Sequence, residues 1–144
     1  MLLKNLMVDV KSAWVSFPGL NGFEVEIAYI SRPELQKLRK TCMVTKFVKR
    51  SPVTDLDEDK YVDKFTSKTV LAWKGLNLEN LEKLMPVKVP DDFKELEHSS
   101  ENAAILVKNS SEFDDWLTEA VFDLENFRGE RETKPVEKTG NVAK

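Results

Sequence analysis

Residues 23–29, FEVEIAY, alternate apolar and polar side chains, and the predicted fold is built outward from them. An alternation with a period of two predicts a β-strand with one buried face and one solvated face. Residues 18–22, PGLNG, have the composition of a turn, and an apolar run, WVSF, precedes them at residues 14–17. The two runs predict a β-hairpin, although the same turn also fits a loop between a helix end and a strand.

A helix is expected to begin at Ser31, directly after this strand. Ser31 suits the N-cap, Pro33 suits the first turn, and Glu34 stands three residues after the serine, as a capping box requires. The β-branched residues 44–48 leave the end of this helix open. Its inward positions are expected to be Leu35, Leu38, Cys42 and Phe47.

A second helix is predicted after the acidic residues 55–59, which favour the positive end of a helix. Its apolar positions extend from Tyr61 to Trp73, and Gly75 is well placed to end it. Residues 76–84 are leucine-rich and predict a short helix or an apolar loop. Two prolines in residues 85–90 allow extended structure at most.

Two further helices are predicted in the C-terminal part of the chain. Residues 99–102, SSEN, begin the first, and Ser110 or Ser111 caps the second. Apolar residues recur in steps of three and four from Phe113 to Phe127, which makes this the clearest amphipathic helix of the sequence. Gly129 is expected to end it.

These elements predict an α+β fold that is mainly α-helical, with an N-terminal β-hairpin followed by a compact set of about four to five helices. Residues 1–128 are expected to form a single domain, because 144 residues with 41% hydrophobic and 33% charged side chains are typical of one globular unit. Residues 129–144 contain no aromatic residue and are expected to form a disordered charged tail.

The composition argues against most catalytic sites. Cys42 and His98 are the only cysteine and histidine, so one chain cannot supply a Cys/His zinc site. A Cys42–His98 catalytic pair is conceivable, but a buried helical cysteine that acts as a small hydrophobe is the favoured interpretation. The five glycines are not spaced for a phosphate-binding loop. We therefore expect no catalytic residue, no cofactor, no metal and no enzyme activity.

The two halves of the chain carry opposite charge. Residues 32–50 contain seven basic residues and one acidic residue, whereas residues 91–132 contain thirteen acidic and four basic residues. The bias fits a basic face for an acidic partner, head-to-tail self-association, or two faces that complement each other within the fold. Nucleic acid is not an expected partner, because no aromatic stacking platform accompanies the basic helix. Neither is a membrane, because no apolar run is long enough to span one.

Three tryptophans stand on apolar faces of the predicted elements: Trp14, Trp73 and Trp116. Packing in the core is the expected role of each. A tryptophan that stays partly exposed would instead be an interface anchor. The sequence does not distinguish the three.

The order of the motifs resembles that of the tail assembly chaperones of long-tailed (siphovirus-type) bacteriophages. A strand and a basic helix precede an acidic helix that closes with VLAWKG at residues 70–75, and then come SENA at 100–103 and a final helix with Asn126-Phe127. In that family a helix ends in a Trp-x-Gly turn, a Glu-Asn pair opens a later helix, and an Asn-Phe pair closes the last one. The resemblance covers roughly residues 14–128, and the long, proline-containing residues 76–99 depart from it.

The resemblance implies a non-catalytic chaperone that binds the tape measure protein, keeps this long apolar helical chain soluble, and recruits tail tube subunits. It also implies action in the host cell cytoplasm and absence from the mature virion. The alternative is a structural minor tail protein that is retained in the virion. The candidate partner-binding residues are Trp73, Lys74, Gly75, Trp116, Phe127, Arg39 and Lys40.

Overall fold

A computed structural model describes residues 1–6 and 12–128, so the predicted tail at 129–144, with Gly129, lies outside the described residues. A 3-10 helix occupies Leu3–Asn5. The five described strands are β1 Ser12–Ser16, β2 Glu24–Ala28, β3 Met43–Val48, β4 Ser51–Leu56 and β5 Val70–Lys74. The six described α-helices are α1 Arg32–Thr41, α2 Glu58–Thr69, α3 Leu78–Leu84, α4 Ser100–Asn109, α5 Ser111–Ala120 and α6 Glu125–Arg128.

A three-stranded antiparallel sheet in the order β1-β2-β5 forms the centre of the fold. The alternating stretch at residues 23–29 supplies its middle strand, and Val25 lies opposite both Val15 and Trp73. Val25 and Ile27 are fully buried, whereas Glu24 and Glu26 point to the other face. A bulge at Glu26/Ile27 shifts the register toward β5. The predicted pairing of the first two strands is confirmed.

The predicted fold class, a mainly helical domain with one N-terminal hairpin, is wrong. The hairpin gains a third strand from residues 70–74, and β3 and β4 form a second two-stranded antiparallel sheet between α1 and α2. The structure is therefore an α+β fold in which strands and helices are interspersed up to Lys74 and four described helices follow. The error arose because short apolar segments fit strand and helix spacing almost equally well.

The second helix ends earlier than its apolar spacing predicted. α2 begins within the acidic residues 55–59, as predicted, and the Asp57 side chain accepts from the Lys60 amide there, but the helix stops at Thr69. Val70 is already extended, with φ −103° and ψ 106°. Residues 70–74 pair with the free edge of β2. The hydrogen bonds of this pairing and the burial of Trp73 together outweigh the local preference of these residues for helix. The predicted helix end at Gly75 is therefore a strand end.

Local capping chemistry sets the starts of the helices as predicted. Ser31 and Glu34 form both hydrogen bonds of a capping box. Ser99 accepts from the Asn102 amide, and Ser110 accepts from the Phe113 amide. Serine and aspartate caps of this kind each stabilise a helix by about 1 kcal/mol.

The final helix is broken, although an unbroken helix to Phe127 was predicted. α5 ends at Ala120, where the side-chain Nδ2 of Asn126 donates to the Ala120 carbonyl at 2.9 Å. The Val121 carbonyl accepts from the Ile30 amide at 3.3 Å, which ties the break to the end of β2. Tertiary hydrogen bonds have replaced those that a continued helix would have made.

Candidate functional site

Trp73 is a core residue. Its side chain is only 7% exposed, and its indole Nε1 donates to the Leu96 carbonyl at 2.8 Å. The ring meets His98 edge-on with 5.1 Å between centroids, and Phe23 at 6.4 Å. Trp73 therefore holds the long segment after α3 against the sheet. Because the side chain is buried, little of its surface is exposed to a partner.

Gly75 is required by a close approach of two backbone segments. Its φ is +81°, and a Cβ at this position would lie 1.9 Å from the Gly22 carbonyl oxygen. The buried Asn80 side chain bridges the same two segments, because its Nδ2 donates to the carbonyls of Asn21 and Gly75 at 3.0 and 2.9 Å. The Trp73-Lys74-Gly75 segment is thus a joint between the β1–β2 turn and the start of α3.

Trp116 and Phe127 also serve packing. Trp116 lies 4.9 Å from Phe17 and 5.7 Å from Phe113 between ring centroids. Phe127 is buried and meets Tyr29 edge-on at 5.6 Å. Trp116 therefore belongs, through Phe113, to the aromatic cluster around Phe23, and Trp73 contacts the same cluster. Phe127 forms its aromatic contact with Tyr29 instead.

Lys74 lies on the open outer face of the three-stranded sheet. Its Nζ is 4.8 Å from the centroid of the Trp14 ring and 3.3 Å from Glu24 Oε1. Trp14 is 46% exposed, so it is the tryptophan that meets the criterion for an interface anchor. Strand alternation is the sequence signal that separates it from the inward Ala13 and Val15 on either side.

Arg39 and Lys40 occupy the exposed last turn of α1. The Arg39 guanidinium lies 5.6 Å from the centre of the Tyr61 ring. Burial raises the pKa of the Tyr61 hydroxyl, and the neighbouring Arg39 opposes that rise. Arg39 is therefore engaged with α2, whereas Lys40 points to solvent just before β3.

The most unusual surface is the β3–β4 hairpin, residues 43–56, which we term the arm. Nearly all of its side chains are exposed or partly exposed, including Phe47 at 74%. The expectation that Phe47 points inward from a helix is wrong, because α1 ends at Thr41 and the chain turns into β3. Isolated two-stranded hairpins are marginally stable in water, so an exposed arm gains from a binding partner.

The two faces of the arm differ in charge. Residues directly opposite in an antiparallel pair share a face. Phe47 pairs with Pro52, Thr45 with Thr54, and Met43 with Leu56, so one face carries no charged side chain. We term this the uncharged face. The other face carries Val44, Lys46, Val48, Ser51, Val53 and Asp55.

The turn of the arm holds two basic residues in a conformation that favours glycine and asparagine. Lys49 has φ +52° and Arg50 has φ +69°. Two-residue hairpin turns with both φ values positive strongly prefer Asn-Gly. A residue with a Cβ in this region costs roughly 1–2 kcal/mol. The strain indicates that these two side chains serve something other than the stability of the hairpin.

Replacing the turn by Asn-Gly (Lys49→Asn with Arg50→Gly) is expected to stabilise the arm. Relief of about 1 kcal/mol of strain should slow local opening and hence hydrogen exchange of the arm amides by about fivefold. Native-state hydrogen exchange measures this directly. The matched control, Lys49→Ala with Arg50→Ala, removes the same charges without relieving φ, and it should not slow exchange. Equal slowing in both variants would contradict the strain argument.

Cys42, His98 and Lys108 each pack against or pair with neighbouring groups. The Cys42 thiol is fully buried at the end of α1, and His98 packs against Trp73. A groove of about 440 Å³ between α2 and α4 has Lys108 on its wall. The Lys108 Nζ lies 3.0 Å from Asp63 Oδ1 and 3.8 Å from Asp59 Oδ1, so these charged groups already compensate each other.

Metal-binding clusters and membrane-spanning helices are also missing from the described residues. Across residues 1–6 and 12–128, no group of three or more Asp, Glu, His or Cys side chains is arranged to hold a metal ion. In that same part of the chain, no helix combines the length and apolarity needed to cross a membrane. No protein-family model, curated protein or solved structure matches the chain significantly.

Proposed function

We propose that this protein is a phage tail assembly chaperone that binds the tape measure protein, and tail tube subunits, in the host cell cytoplasm without catalysis. The observation that carries the proposal is the uncharged face of the arm, where Phe47 is 74% exposed beside Pro52. The order of the WKG, SEN and Asn-Phe motifs supports the choice of family.

The uncharged face suits an apolar helical partner. A helix can lay its apolar stripe against an exposed sheet face and cover it. Complete burial of one phenylalanine side chain contributes about 1.5–3 kcal/mol, so Phe47 is the strongest single anchor on this face. Met43 and Leu56 extend the apolar surface toward the body of the protein. A tape measure protein, a long chain of apolar helices, presents the stripe that this face requires.

Holding an aggregation-prone chain needs coverage of apolar surface and no reacting groups. The motif residues Trp73 and Phe127 are buried in the core, and Gly75 allows the close approach to Gly22, so all three support the scaffold that carries the arm. Lys74 and Trp14 form a second exposed surface on the sheet, away from these buried residues. Two separate surfaces suit a protein that brings a tape measure chain and tube subunits together.

Co-expression with the tape measure protein tests the proposal. The wild-type chain should increase the soluble fraction of the tape measure protein, and Phe47→Thr should abolish most of that increase. Val53→Thr is the matched control, because Val53 is exposed on the opposite face of the arm and threonine keeps the strand preference. A tape measure protein that is equally soluble with and without this chain rules out the holding role.

The location of the protein separates the chaperone from a structural tail component. Mass spectrometry of purified virions should find this chain absent or far below stoichiometric amounts. Stoichiometric presence in the particle would contradict the chaperone proposal and favour the minor tail protein.

A further inference from the structure

An acidic stripe runs along the exposed side of α5 and past its end. Glu112, Asp115, Glu119 and Asp123 follow one another in steps of three, four and four residues, and each is exposed. Helical steps of this size place Glu112, Asp115 and Glu119 on one face of α5, and Asp123 follows beyond the end of the helix. The burial of Asp114 next to the stripe raises the pKa of its carboxyl, and the negative charge of Asp115 adds to the rise.

The stability of α5 accounts for Glu112 in its first turn but not for the acidic residues that follow it. Acidic residues are favourable in the first turn of a helix and unfavourable near its C-terminus, where basic residues are preferred. The last turn of α5 contains no basic residue, and Glu119 stands there instead. Glu119 therefore costs the helix stability unless a positive charge approaches from outside it, whereas Asp123 lies beyond α5 and its side chain accepts from the Glu125 amide at 3.0 Å.

The arm ends in the complementary charge. We term Lys46, Lys49 and Arg50 the basic tip, and all three are exposed. Lys49 and Arg50 are the residues at φ +52° and +69°. Within the described residues, the ion pairs leave both the basic tip and the acidic stripe uncompensated. Within the described residues of one molecule, no ion pair therefore joins the basic segment at residues 32–50 to the acidic segment at residues 91–132.

We propose that the basic tip of one molecule docks on the acidic stripe of a second copy of this chain. Each molecule carries both surfaces, so a second copy always presents the matching charge. Exposed apolar side chains accompany both surfaces: Val48 and Val53 beside the tip, and Phe122 beside Asp123. Apolar groups surrounded by complementary charges are the usual composition of a protein interface.

The contact is heterologous, because two different surfaces of the chain meet. Heterologous contacts repeat head to tail and produce rings or open filaments. The uncharged face with Phe47 lies on the other side of the arm and stays available to another partner. Self-association through the tip therefore does not rest on the proposed binding of the tape measure protein, and either can fail without the other.

Sedimentation velocity of the full 144-residue chain tests the inference. The wild-type chain should associate with rising concentration at about 0.1 M salt, and the association constant should fall by at least about tenfold at about 1 M salt, where the Debye length shrinks to roughly 3 Å. Lys49→Glu with Arg50→Glu, and separately Asp115→Lys with Glu119→Lys, should each abolish association. These positions are exposed, so both variants should keep the wild-type circular dichroism spectrum.

Mixing the two charge-reversed variants gives the decisive result. Each variant then presents charges that complement the other, so association should return to within a few-fold of the wild type. Lys88→Glu with Lys94→Glu changes the net charge as much as the tip reversal, at exposed residues outside both surfaces, and should leave association unchanged. Lys49→Asn with Arg50→Gly removes the tip charges while relieving the turn, and should also prevent association.

Three outcomes would overturn the inference. One is a wild-type chain that stays monomeric at every concentration. Another is a loss of association in the Lys88→Glu/Lys94→Glu control as large as that in the tip reversal, which would indicate a general charge effect. The third is a mixture of the two reversed variants that remains monomeric although both are folded, which would show that the tip and the stripe do not meet.

Discussion

Gly75→Ala is expected to lower the free energy of unfolding by about 4 kcal/mol or more. The new Cβ would lie 1.9 Å from the Gly22 carbonyl oxygen, a distance at which the backbone must move. The φ of +81° adds roughly 1–2 kcal/mol for any residue with a Cβ. Movement of this joint also strains the two hydrogen bonds that Asn80 donates across it. Domains have only about 5–15 kcal/mol of stability, so the variant should be barely folded.

Chemical denaturation followed by tryptophan fluorescence measures this loss. Gly19→Ala is the matched control, because Gly19 has nearly the same φ, +84°, but a Cβ added there would meet no atom within 4 Å. That variant should lose only about 1–2 kcal/mol, the cost of the backbone conformation alone. Equal losses at the two glycines would show that the close approach to Gly22 contributes nothing to stability.

Trp73→Ala is expected to lower the free energy of unfolding by about 3–5 kcal/mol. The substitution empties the space between Phe23 and His98 and leaves the Leu96 carbonyl without its indole donor. The long segment after α3 would then be held by the Leu96 amide, which donates to the Leu76 carbonyl at 2.9 Å, and by the packing of Met85, Val87, Phe93 and Leu96 against the core. Local protection from hydrogen exchange in residues 85–98 should therefore fall with the global stability.

Two variants separate the contributions. Trp73→Phe keeps most of the packing and removes the indole N–H, so it should cost about 1–3 kcal/mol for the unpaired carbonyl and the smaller ring. Trp14→Ala removes a tryptophan that is 46% exposed and should cost less than about 1 kcal/mol. If Trp14→Ala destabilised the protein as much as Trp73→Ala, the assignment of Trp73 to the core and Trp14 to the surface would be wrong.

These expectations change the interpretation of the motifs that suggested a tail assembly chaperone. Trp73, Gly75 and Phe127 act in folding, and Asn102 and Asn126 close turns by donating to the carbonyls of Glu97 and Ala120. Motifs of this kind mark a scaffold and not a contact surface. Within the described residues, the surfaces proposed for partners are the arm, the acidic stripe and the sheet face around Trp14, and the motifs contribute only Lys74 to them.

The candidate site was only partly predictable. Lys40 and Lys74 are exposed, as partner-binding residues must be, and the basic character of residues 32–50 located the segment that contains the basic tip. Phe47, the proposed anchor, was expected to point into the core. Phe47 is exposed because residues 43–56 form a hairpin whose side chains point to solvent. The helical spacing of Leu35, Leu38 and Cys42 did not indicate this hairpin.

The sequence by itself determined the features that depend on neighbouring residues. The alternation at residues 23–29 specified a strand, because it needs only a period of two. The serine caps at Ser31, Ser99 and Ser110 specified helix starts, because a side chain bonds a backbone amide three residues away. The acidic residues 55–59 specified the start of α2, because negative charge favours the positive end of a helix. The opposite charges of the two halves were visible in the composition alone.

Only the tertiary structure decided the features that depend on distant residues. Residues 70–74 became a strand because β2 had a second edge to pair, and the last helix broke because the Val121 carbonyl bonded Ile30. The requirement for glycine at position 75 arises because the fold places the Gly22 carbonyl beside it. Local preferences differ by about 1 kcal/mol or less per residue, so a non-local pairing or a buried tryptophan outweighs them. Which tryptophan was buried and which was exposed followed from that pairing.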